Sequence, residues 1–260
     1  MPEELCPHGN SAASNALAIA GQLLTPIMWT LVVGPALAHS LGTFDSRVDY
    51  YTFIAVGQVA FMIPFTAMFN GMNVIVDYLG ITRELLVAPV RRAVIPLASA
   101  AGVLTITLVQ VALIVGLGRL RGAHFHTSAA GVAWFVAACV LLSLTLFGVG
   151  ETLAQKTGRP ESYGPLIPAV GVTPYFLAGA LYPLAVLPVG LRQVGYVLPW
   201  THAVALMRYG LMEHTNSQLS DVWHLHSQAG MATLSLAVLA TFAAGSLTMA
   251  ARTFVRSTTS

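Results

Sequence analysis

The sequence predicts an all-α integral membrane protein with six transmembrane helices, and three observations carry that reading. The chain is 56% hydrophobic and only 8% charged over 260 residues, with a mean hydropathy of +0.73. A water-soluble domain of this length needs a far more charged surface. Asp, Glu, Lys and Arg are also absent from residues 5–44, 50–76, 93–118, 122–150, 162–191 and 222–251. Each gap exceeds the roughly 20 residues a helix needs to cross ~30 Å of hydrocarbon. This avoidance is physical, because a mid-membrane Arg, Lys or Asp costs about 2.5–3.5 kcal/mol on insertion scales. Finally, the alternating segments of about ten residues that a transmembrane β-barrel shows are missing.

The gaps place spans at about 20–41, 51–76, 94–117, 129–150, 165–186 and 229–251 of a single domain covering 1–260. The N-terminal MPEELCPHGN is acidic and lacks the positive n-region of a signal peptide, so the first apolar stretch is expected to stay as a helix. The second span carries Gln58, Met62, Thr66, Asn70 and Asn73, which at 100° per residue fall within about a third of the helix circumference. Amides facing lipid are costly, so this stripe is expected to face another helix or a cavity. Helix–helix hydrogen bonding and substrate contact both fit. Glu151 reads as the solvated end of the fourth span, within reach of Lys156 and Arg159. In the fifth span, Pro168, Pro174 and Pro183 break or kink the helix. Thr173, Phe176 and Tyr182 are its candidate pathway residues, against the reading that such aromatics anchor at the interface. A further charge-free run, 193–207, holds Pro199-Trp200 and is too short to cross, so segment 187–228 is expected to contain an extracellular re-entrant helix before the last span.

Charge orients the chain. With the N-terminus inside, the inner segments hold Arg83, Arg91, Arg92, Lys156, Arg159, Arg252 and Arg256, and the outer ones Arg47, Arg119, Arg121, Arg192 and Arg208. Long segments count little in the positive-inside rule, so the balance favours both termini in the cytoplasm. The loop 77–93 then lies inside, and its stretch ELLVAPVRR, Glu84 to Arg92, sets an acid and two arginines around a short apolar run. It fits a short amphipathic helix on the inner surface, and equally an ordinary positive loop. Arginine-rich, lysine-poor usage points to a GC-rich bacterial genome, and the expected location is the bacterial plasma membrane.

Several site classes find little support. Cys6 and Cys139 give neither a disulfide framework nor metal-ligand spacing. The pairs His124/His126 and His224/His226 suit a metal only on a strand, where alternate residues share a face, and no metal site is expected. A formal net charge of +2 is too small to indicate nucleic acid. GETLAQKT at 150–157 has Lys156-Thr157 six residues after Gly150, but Gln155 stands where a P-loop needs glycine. No catalytic residue is assigned.

The stretch FLAGALYPLAVLPVGLRQVGYVLPWTHAVALMRYGL, 176–211, resembles the most recognisable part of the type-2 ABC transporter permeases, the membrane subunits of bacterial exporters of drugs, lipids and polysaccharides. The resemblance rests on Gly179, Tyr182-Pro183, Leu187-Pro188, Leu198-Pro199 with Thr201, and Arg208, and on Glu84-Leu85-Leu86, Pro89 and Arg91 in the first inner loop. It implies that this loop is a coupling helix docking into a separate ATP-binding subunit. Leu85 and Leu86 would fill a groove there, and Arg83, Glu84, Arg91 and Arg92 would form rim ion pairs around the Pro89-bounded helix. It also implies two ATP-binding subunits, which bring ATP and Mg, and a second permease, identical or homologous. This chain itself would bind no cofactor. The family's basic amphipathic elbow helix has no counterpart in charge, since residues 1–21 lack Lys and Arg; Asn15 to Leu24 is the segment that would take its place. An ion-coupled secondary transporter is the alternative, which normally needs intramembrane carboxylates, and a membrane enzyme using outer histidines with Asp221 or Glu213 comes last.

Overall fold

The computed structural model describes residues 21, 23–41, 50–78, 94–212 and 218–257. The described residues are helical almost throughout, and five of the helices are long and apolar enough to cross a membrane. They are α1 (23–41), α2 (Tyr50–Tyr78), α3 (Val94–Leu120), α4 (Ala129–Thr157) and, last in the chain, α8 (Gln228–Ser257). Between α4 and α8 come a broken segment at 160–177, then α5 (Val189–Val197), α6 (Pro199–Leu211) and α7 (Leu219–Trp223).

α4 is the central helix, packing on α8, α2, α6 and α3. Its limits follow from local chemistry. Ser128 caps the start by accepting from Gly131 N at 3.1 Å. At the other end Gly158, at φ 61°, donates back to Ala154 O, the left-handed cap that glycine adopts without strain. The helix therefore runs past Gly150, and Glu151 is not at its end.

In hydrocarbon, helices gain little by hiding apolar surface from lipid, and they associate through close packing over small residues. α4 and α6 meet in this way at Gly131 and Gly210. A Cβ on Gly210 would lie 2.5 Å from Gly131 O and 2.9 Å from Phe135 N. Both are backbone atoms that cannot turn aside, so Gly210→Val should cost about 2–3 kcal/mol. A lowered melting temperature of the detergent-solubilised chain would show it.

The fifth expected span is not one helix. Residues 165–186 form a π-helical stretch Ile167–Val172, a short helix Thr173–Leu177 and a 3-10 turn Leu184–Val186. Pro168, Pro174 and Pro183 each remove a backbone donor, and Gly179 turns the chain at φ +68°. The following helix α6 starts at Pro199, where a missing N–H costs nothing. Thr201 Oγ1 donates to Gly195 O at 2.6 Å and fixes the corner between α5 and α6. All thirteen residues of α6 are buried, yet thirteen residues span only about 20 Å. It enters the bundle without crossing it.

Backbone breaks in an apolar setting need outside donors or acceptors, and here long side chains supply them. α1 has a π-turn at Trp29–Val33, and nearby Pro26 O accepts from Thr30 Oγ1 and from Gln58 Nε2 of α2. Pro35 has no N–H to give Leu31 O, and Arg121 Nη2 donates to that oxygen at 3.1 Å. The turn at 178–181 is held by Arg208 of α6, which is wholly buried. Its Nη1 donates to Gly179 O at 2.8 Å and to Gln218 Oε1, and its Nη2 to Ala180 O at 2.7 Å. The guanidinium also lies over the Phe53 ring of α2, 3.4 Å from its centroid.

Candidate functional site

A cavity of about 590 Å³ opens between the first three helices. α2 contributes Met62, Phe65, Thr66, Phe69, Asn70 and Asn73. α3 faces them with Ser99, Val103, Ile106 and Gln110, and Thr25 comes from α1. Spacings of four, four and three along α2 put Met62, Thr66, Asn70 and Asn73 on one face, so four of the five residues of the polar stripe line one space. Gln58 belongs elsewhere. It is buried, and its Nε2 donates to Thr30 Oγ1 at 2.8 Å as well as to Pro26 O, so it fastens α2 to the π-turn of α1.

The cavity wall is itself hydrogen-bonded. Thr66 Oγ1 donates to Gln110 Oε1 at 2.6 Å, joining α2 to α3. Asn70 Nδ2 donates to Glu151 Oε1 at 3.2 Å, joining α2 to α4. Glu151 also accepts from Gln155 Nε2, one turn further along α4. It is only 3% exposed, and among the described residues it meets no basic partner; Lys156 and Arg159 are exposed at the end of the helix. The expected solvated terminus is thus corrected to a buried carboxylate inside a long apolar helix. Beneath it, Tyr163 is fully buried and donates to Met68 O of α2 at 2.7 Å. Its hydroxyl fills the notch left by Gly71 and Gly150.

The candidates from the fifth span lie apart from this cavity. Thr173 is exposed and donates to Pro168 O at 3.3 Å. Phe176 is exposed, its ring edge-on to Tyr175. Tyr182 donates to Phe176 O at 2.6 Å. The coupling residues Arg83, Glu84, Leu85, Leu86, Pro89, Arg91 and Arg92 lie outside the described residues, in the connection from α2 to α3. Gln110 and Glu151 were missed from sequence. Gln110 is a lone amide among apolar neighbours, and Glu151 sits where the charge-free run stops.

At the opposite end of α2, His124 N donates to Thr52 Oγ1 at 2.8 Å, and His126 forms an isolated parallel bridge with Met212. Both side chains are exposed. Asp221 is half-buried. Burial raises its carboxyl above the usual range, and His224 and Arg192 oppose that shift. Among the described residues no three His, Cys, Asp or Glu side chains gather where a metal could bind. GETLAQKT, the P-loop look-alike, is the last two turns of α4.

A sequence model of the family described as ABC-2 type transporter matches residues 10–212, most of the chain. The chain belongs to the ABC-2 type transporter family. No individually curated protein matches it. As an ABC-2 permease subunit and multi-pass membrane protein, it has a transport role, and its family is generally non-catalytic. Glu151 places a carboxylate inside a long apolar helix, where the charge-free runs of the sequence led one to expect none.

Proposed function

We propose that this ABC-2 permease chain forms half of the translocation pathway of an ATP-driven bacterial exporter, with the cavity between α1, α2 and α3 as its substrate-contacting wall. The observation behind this is the convergence of Met62, Thr66, Asn70 and Asn73 on one space of about 590 Å³, a size suited to a drug-like molecule or part of a lipid or glycolipid. ATP and Mg come with two copies of a separate ATP-binding subunit, and a second permease, identical or homologous, completes the pathway. The connection between α2 and α3 is the docking element, so a shift in the ATPase pair reaches the cavity along two of its own walls. Both termini face the cytoplasm of the bacterial plasma membrane.

A pulldown of the tagged chain from mild detergent, followed by an ATPase assay, tests the partnership. The expected result is a co-purifying P-loop protein with ATPase activity. A chain that comes out alone and inert overturns the exporter reading. Asn73→Leu tests the cavity. It should shift substrate preference about tenfold, the scale of a group worth ~1.4 kcal/mol, with basal ATP turnover unchanged. A change in stability alone would reduce the stripe to helix packing.

A further inference from the structure

We propose that the cavity selects an amphipathic amine in its protonated form, with the N–H donors of the head group read by acceptors on α2 and countered by Glu151. This rests on the cavity's role as substrate pathway. Hydrogen-bond polarity points to it first. Thr66 Oγ1 has given its single hydrogen to Gln110 Oε1, so only lone pairs remain for a ligand. Asn70 has turned an N–H toward Glu151 and keeps its carbonyl Oδ1 as acceptor. On α2 a ligand head therefore meets acceptors at Thr66 and Asn70, which suits a group rich in donors.

Charge points the same way. None of the described residues lining the cavity is charged. Among the described residues, the ionisable group bonded to its wall is Glu151, buried in α4 with no basic partner among them. A carboxylate one hydrogen bond behind an amide polarises it and strengthens its carbonyl as an acceptor. An arriving cation favours the ionised form of that carboxyl, and in a low-dielectric setting the two attract much more strongly than in water. An anionic head would meet acceptors in front and a negative charge behind. A neutral one would leave the carboxylate with no counter-charge among the described residues. The apolar body has its own surface in Met62, Val103 and Ile106, and Phe65 and Phe69 offer ring faces, to which an ammonium group is attracted.

The test uses the full-length chain in detergent and three fluorescent ligands: dansylcadaverine, its N-acetylated neutral form, and a dansyl carboxylate of equal chain length. The amine should bind about tenfold more tightly than the acetylated form, with the carboxylate weakest. Glu151→Gln keeps the shape and the Asn70 hydrogen bond but removes the charge. It should bring the amine to within about threefold of the acetylated form while leaving the latter's affinity unchanged. Thr66→Val should weaken the amine alone by about threefold, and it serves if the Glu151 variant fails to fold. Equal affinities in the natural chain overturn the proposal, as does a preference that survives in both variants. The pulldown is independent of this result. A chain that captures its ATPase but shows no amine preference rejects the amine alone, whereas amine preference without any ATPase rejects the exporter role.

Discussion

Arg208→Met should destabilise the solubilised protein by about 3–5 kcal/mol, a fall in melting temperature on the order of 10 °C. Two effects compete in this estimate. A buried charge is expensive, and replacing a complete buried ion pair by apolar groups is often neutral or favourable. The acceptors of Arg208 are different in kind, because Gly179 O and Ala180 O belong to the backbone and stay behind when the side chain goes. Each bare buried carbonyl costs about 1–3 kcal/mol, and Gln218 loses its partner as well. The second effect wins. Arg208→Lys keeps the charge but gathers its donors on one nitrogen, so it cannot fork across two successive carbonyls and an amide; its melting temperature should fall between the other two. A methionine variant melting within about 2 °C of the natural protein would mean that the clamp does not hold the turn.

The double change Arg91→Ala with Arg92→Ala should abolish transport while the chain still inserts and folds. These residues follow the apolar run Leu85-Leu86 and the rigid Pro89, at the rim of the proposed docking helix. Losing charge pairs at such a rim costs about 1 kcal/mol of docking energy, roughly a fivefold loss of affinity for the ATP-binding subunit, and loosens the register through which movement is passed on. The readouts are co-purification of the ATPase and export by intact cells. Export at the natural level would reject the coupling assignment, even with the family secure.

The long helices were legible because hydrocarbon tolerates so little charge that its absence alone marks them. The same rule hid Glu151. A charge-free run ending at Gly150 reads as a span ending there, whereas Gly158 and Pro160, both visible in the sequence, are the signals that stop α4. The α2 stripe was legible as one face, but its division was not. Gln58 is set apart from Asn70 by what lies opposite, a π-turn in α1 instead of the cavity and Glu151, and no local pattern carries that. The three prolines of the fifth span announced a kink. Pro168 and Pro174 leave a helical run with a π-helical stretch, whereas the break after Leu177 depends on Gly179 and on an arginine further along the chain.

Side chains that mend backbone breaks also have an evolutionary consequence. The harm done by losing such a side chain is conditional on the break it mends. With leucine in place of Pro35, α1 would supply its own N–H to Leu31 O, and Arg121 would no longer be needed there. The two positions are therefore coupled in one direction: losing the arginine while the proline remains leaves Leu31 O to solvent at this exposed site, whereas after loss of the proline the same change takes away no needed donor.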